Sequence, residues 1–116
     1  MAVYIVTEDP AALLKSFKAK IAGSGADSIT TWTETSKGFE HDSSQLKGKA
    51  LASVKEASYD GKKALHFWFA PIGDQEKWAE YIFPEMNGNL VATFIKHFYK
   101  KYENIVVVDE RQAAKK

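Results

Sequence analysis

The stretch 50–71, ALASVKEASYDGKKALHFWFAP, decides how the whole chain is read. Asp60-Gly61 stands between two β-rich runs. An Asp-Gly pair so placed is a strong short-range hairpin signal, because both central residues of a type I′ turn need φ > 0 and these two tolerate it best. The hairpin is expected within 46–71, and its two-residue loop sets the register: Tyr59 opposite Lys62, Ala57 opposite Ala64, Lys55 opposite His66, and Ser53 opposite Trp68. Strand side chains alternate with period two. Ala52, Val54, Leu65, Phe67 and Phe69 therefore share one face, and Leu51, Ser53, Lys55, His66 and Trp68 share the other. The first face is apolar and belongs to a core. The second is mixed, and a function carried by this sheet is expected there.

Upstream, residues 2–7 carry Val3, Tyr4, Ile5 and Val6 and read as a buried strand. Asp9 followed by Pro10 is a helix start, an N-cap acceptor before proline at the first helical position. Leu13, Leu14, Phe17 and Ile21 then recur at helical spacing until Gly23-Ser24-Gly25. The β-branched run 28–35, SITTWTET, predicts a strand. Ser36-Lys37-Gly38 predicts a three-residue hairpin loop with Gly38 left-handed, returning into a short strand over 39–42. Residues 43–45 read as a bend or a short helical turn leading into the central hairpin.

Downstream, the spacing of Trp78, Tyr81 and Ile82 predicts a short helix over 75–83 that Pro84 stops. Asn87 or Asn89 would then cap a second main helix to about Tyr102, with the stripe Leu90, Val91, Phe94, Ile95, Phe98 and Tyr102. NIVVVD at 104–109 reads as a last strand. The order implies an α+β fold: a mainly antiparallel sheet of about five or six strands with two principal helices covering one face. The other face stays partly open, with Trp32 and Trp68 expected on it.

Length and composition fit one globular domain over 1–110, followed by a frayed polar tail over 111–116. Net charge is +1, so no general field draws the chain to nucleic acid or an acidic membrane. The absence of cysteine excludes disulfides, thiol nucleophiles and cysteine metal sites. The apolar start meets Glu8, Asp9 and Pro10 at once, unlike a secretory signal, and no window approaches the roughly 20 apolar residues of a membrane span. A cytoplasmic location is expected, with no cofactor.

Glu40-His41-Asp42 is one cluster with chemical potential. On a strand the two carboxylates point to one side, about 6.5–7 Å apart, with His41 opposite. A solvated strand edge accounts for such a run, and the functional alternative is His41 as general base with Glu40 or Asp42. His66 lies beside Trp68 and opposite Lys55, and His97 stands at the edge of the last helical stripe. The histidines have no H-x₃-H or HExxH spacing, so no metal site is expected. HFYKKYE at 97–103 mixes bases with aromatics, but the core stripe claims Phe98 and Tyr102, which argues against a nucleic-acid patch.

TWTETSKGFEH at 31–41, QLKGKA at 45–50, and Y-x₅-N-G-x-L-x₆-H-F over 81–98 resemble a family of small uncharacterised bacterial proteins. That family's pattern has T-W, G-x-F-x-H, Q-W-x-x-K-A-W and Y-H-G-x-F before H-F. Leu46 and Leu51 stand where the pattern has tryptophans, and Asn87 where it has histidine. The resemblance implies a bacterial single-domain protein, carries no activity, and picks out Trp32, His41, Gly88 and His97. The leading expectation is a protein-binding module acting through Trp32, Lys55, His66 and Trp68. By fold-level analogy it would be an immunity or accessory protein. Its rivals are a small hydrolase or nuclease using His41 with Glu40 or Asp42, and a homodimer that closes the open face on itself.

Overall fold

The computed structural model describes residues 1–25, 27–73 and 79–109. The elements run β1 (Ala2–Val6), α1 (Pro10–Ala22), β2 (Trp32–Thr35), β3 (Gly38–His41), β4 (Ala50–Tyr59), β5 (Lys62–Pro71), α2 (Ala79–His97) and β6 (Asn104–Val108). The strands form one antiparallel sheet in the order β2-β3-β4-β5-β1-β6, with both helices on one face: an α+β fold. The expected tail at 111–116 lies outside the described residues.

The β4–β5 hairpin has the register its Asp-Gly pair dictates, from Tyr59 opposite Lys62 to Ala50 opposite Pro71. Asp60 and Gly61 both take positive φ, 51° and 79°. Of the apolar face, Ala52, Leu65, Phe67 and Phe69 are buried, and Val54 packs partly buried against the core. β1 lies next to β5 with Ile5 opposite Leu65 and Val3 opposite Phe67, so its apolar residues extend the same face.

α1 starts as its sequence dictates: Asp9 Oδ1 accepts the Ala12 N–H at 3.1 Å and Pro10 is the first helical residue. Its inward residues Leu13 and Phe17 are buried, and the Phe17 ring meets Phe39, Phe67, Phe94 and Phe98.

Three local expectations are overturned. Residues 28–31 do not join β2. The Ile29 N–H donates to the Lys20 carbonyl at 2.9 Å, so that segment satisfies the end of α1, and at its last residue the Thr31 carbonyl accepts the Asp42 N–H at 2.8 Å. The β2–β3 loop has two residues, Ser36 and Lys37, with Thr35 opposite Gly38. Gly38 thus begins β3, at φ 150°, where a Cβ would stand 2.5 Å from the Ala52 carbonyl oxygen of β4. Close approach of two backbones, together with a positive φ at the head of a strand instead of within a loop, is what demands glycine there.

The third concerns α2, which runs through Pro84 without a break, with Asn87 and Asn89 inside it rather than capping it. Ile82, Met86, Leu90 and Phe94 form one buried stripe across the proline, and Pro84 forgoes one intrahelical bond, to Glu80, near the helix start. The helix ends at His97, short of Tyr102, because the chain must turn to place Asn104 opposite Val6. Lys100 takes φ 77° in that turn, and β1 holds it: the Thr7 hydroxyl donates to the Lys101 carbonyl at 2.9 Å and the Glu103 N–H to the Val6 carbonyl at 2.8 Å.

Gly38→Ala is expected to destabilise by about 2–4 kcal/mol, since both an unfavourable φ and a backbone clash must be relieved. Gly61→Ala has the φ penalty but nothing within 4 Å of the added Cβ, and should lose about 1 kcal/mol. Urea unfolding midpoints of the two variants check the difference.

Candidate functional site

Among the described residues, side chains with chemistry gather at two places, one on each side of the sheet. On the helix-free face, strand parity brings Tyr4 of β1, Lys55 and Tyr59 of β4, and His66 and Trp68 of β5 together. The Tyr4 and His66 rings stack at 4.4 Å with planes 4° apart, and Tyr59 lies 5.0 Å from Tyr4. Trp68 lies 5.2 Å from His66, and Lys55 Nζ is 5.6 Å from its ring centroid. The four rings form one continuous, partly exposed row ending in a cation. Ala2, Val6 and Ala64 are on this same face and are buried although no helix covers them.

Lys55, His66 and Trp68 thus stand together as expected of a mixed face. Trp32 does not join them. It is 2% exposed on the helix-covered side, where its indole N–H donates to Thr93 Oγ1 of α2 at 3.0 Å. The cause is the loop length. A three-residue loop would set Trp32 opposite Asp42, whereas the two-residue loop sets it opposite His41, and a one-residue slip moves every side chain of a strand to the other face. Tyr4 and Tyr59 complete the row and were not foreseen as site residues. Tyr59 was available from parity with Lys55, whereas placing Tyr4 required knowing that β1 pairs with β5.

The second place is a pocket of about 410 Å³ at the other end of the sheet, between Gly25, residues 28–31, β3 and α2. His41, Thr93 and His97 line it, with Lys96 at its rim and Thr30 and Thr31 across from the helix. Trp32 supports its base, set edge-on to His41 at 4.9 Å. Of the four positions picked out by the family resemblance, Trp32, His41 and His97 therefore converge here, and Gly88 lies exposed on α2. Thr93 and Lys96 carried no signal of their own in the sequence. They arrive because α2 crosses the sheet with that flank beside β3.

The Glu40-His41-Asp42 run is split by the pleat. Glu40 faces away from the helices and accepts the Gly48 N–H, which holds the 43–49 turn. Asp42 accepts the Thr33 hydroxyl, at 2.9 and 2.7 Å to its two oxygens. His41, 7% exposed, instead accepts the Ser43 N–H at Nδ1 (3.3 Å), which puts the proton of the neutral ring on Nε2. Among the described residues neither carboxylate hydrogen-bonds His41. At the far end of α2, Tyr99 is exposed with Lys100 Nζ 5.3 Å from its ring centroid, on a turn instead of the expected helix.

Comparison with protein-family models, with curated proteins and with solved structures finds no match. No described helix is long and apolar enough to cross a membrane.

Burial holds the pKa of His41 below its ordinary value, partly offset by the Asp42 charge. Burial also lowers that of His97, reinforced by Lys20 and Lys96 and opposed by Asp27. A histidine depressed in the folded state binds its proton more readily when unfolded, so its contribution is complete above the unfolded value of about 6.5 and is lost as pH falls through that value toward the folded one. The urea midpoint should therefore fall between pH 7.5 and 5.5. In a His41→Gln, His97→Gln double variant the fall should be smaller.

Proposed function

We propose that this chain is a protein-binding module, in an immunity or accessory role, whose helix-free sheet face docks a partner through the Tyr59–Tyr4–His66–Trp68 row and Lys55. The observation that carries the reading is the row itself. Partly exposed aromatic rings next to a cation, packed into one patch on a rigid sheet, have the composition of interface hot spots.

The geometry of the rings bears on the kind of partner. Tyr4 and His66 spend facing ring surfaces on each other, and Trp68 is flanked by His66 on one side and approached by Lys55. A nucleobase platform needs ring faces turned outward for stacking. Rings packed face to face across strands instead offer edges and apolar rims, which suit protein side chains.

Charge favours a different protein over a second copy of this chain. Among the described residues no carboxylate forms an ion pair with Lys55. Elsewhere on this face Glu40 is engaged by Gly48, and Lys62 is paired with Glu103 at 3.3 Å. The complementary surface is apolar with a carboxylate opposite Lys55, whereas on this face Glu40 and Asp42 are already engaged by Gly48 and Thr33. The hydrolase or nuclease reading draws no support from the geometry, because Glu40 and Asp42 hold structural bonds apart from His41.

A photoreactive benzoylphenylalanine placed at Tyr59 tests the proposal, with the same group at Ile95, 54% exposed on α2, as control. The expected result is one discrete adduct with another protein from position 59 and none from position 95. Trp68→Ala or Lys55→Glu should reduce it more than about tenfold. An adduct of twice the chain's mass, or none at all, overturns the reading.

A further inference from the structure

We infer that the pocket between α2, Gly25, residues 28–31 and His41 binds a small organic anion, held by the oxygens of a carboxylate or phosphate group. This site is separate from the aromatic row, and the inference stands or falls independently of the protein-binding reading.

The argument is a census of hydrogen-bonding capacity. Several polar groups at the pocket are already committed. The Thr93 hydroxyl accepts from Trp32 and donates to the Asn89 carbonyl at 2.8 Å, the Asn89 amide donates to the Glu85 carbonyl at 2.8 Å, and the Ser28 hydroxyl donates to the Gly25 carbonyl at 2.7 Å. What remains among the described residues is donor capacity: the Nε2–H of His41, a ring N–H of His97, the hydroxyls of Thr30 and Thr31, and the ammonium of Lys96.

His41 is the sharpest of these. The residue is 7% exposed, its Nδ1 is taken by Ser43, its flank is braced by Trp32, and the remaining nitrogen meets no protein acceptor among the described residues. His41 lines the pocket, so a ligand oxygen there can accept that N–H.

The charges point the same way. No carboxylate lines the pocket, and Lys96 forms no ion pair among the described residues. The acidic groups nearby, Asp27 beside His97 and Asp42 beside His41, act from outside the lining. A cationic ligand would meet Lys96 with nothing to balance it, while an anion meets a cation and four neutral donors. The volume of about 410 Å³ lies in the range of small-molecule sites and far exceeds the ~30 Å³ of a single water. The oxyanion is thus one end of a larger molecule.

Amide and histidine-ring ¹H–¹⁵N spectra, recorded at constant ionic strength while titrating inorganic phosphate, succinate or chloride, test this. Saturable shifts are expected at Thr30, Thr31, His41 and His97 with phosphate, succinate or both. Phosphate alone would identify a phosphate-bearing ligand, and succinate alone a carboxylate. Lys96→Glu, an exposed change whose urea midpoint should match that of the parent chain, is expected to weaken binding about tenfold or more. Lys55→Glu, on the opposite face, should leave it unchanged. Shifts that do not saturate, that chloride reproduces, or that survive Lys96→Glu overturn the inference.

Discussion

Everything in this structure hangs on the packing of Phe17. Its ring is fully buried and touches Phe39 of β3, Phe67 of β5, and Phe94 and Phe98 at the end of α2, with centroid separations from 4.9 to 6.2 Å. One side chain thus joins both helices to the outer and central parts of the sheet. With no disulfide available, such packing has to hold the fold. Truncating a buried phenylalanine typically costs about 3–5 kcal/mol, against a total stability of about 5–15 kcal/mol for a domain. Tilted and edge-on ring pairs add orientation to that burial, which holds the two helices at a set position across the sheet.

That position determines where chemistry can sit. Because both helices lie on one face, the other is left with side chains that must cover the sheet themselves. The aromatic row lies on that face, where Ala2, Val6 and Ala64 are buried. On the helix side, α2 crosses the sheet with its Asn89–Thr93–Lys96–His97 flank turned to β3, and a polar pocket opens where the helix, His41 and the segment after α1 meet. The Trp32–Thr93 hydrogen bond ties the edge strand to the helix at that point. The two candidate surfaces are thus consequences of one asymmetric layering.

Much of this was legible in the residues. Asp60-Gly61 specified a turn, the turn specified a register, and the register specified which of Lys55, Leu65, His66, Phe67 and Trp68 face together. Each step is local, and each rests on strong stereochemistry. Asp9-Pro10 likewise marked the start of α1. The failures came where a local signal competed with packing. Pro84 is a strong helix breaker in isolation, yet the buried run Ile82, Met86, Leu90 and Phe94 outweighs one lost hydrogen bond. Ser36-Lys37-Gly38 fits a three-residue loop, but the approach of Gly38 to Ala52 belongs to a strand contact that no neighbouring residue announces.

The sequence by itself determined the α+β class, the central hairpin with its two faces, and the Lys55–His66–Trp68 group, because turn chemistry and period-two alternation act over a few bonds. Tertiary structure alone decided that Trp32 goes into the core, that Tyr4 stacks on His66, and that His97 and Lys96 meet His41 at a pocket. Those placements depend on the register of an edge strand, on which strands are neighbours, and on how a helix crosses a sheet. Each is set by long-range packing, in which residues far apart in the chain compete for the same buried volume.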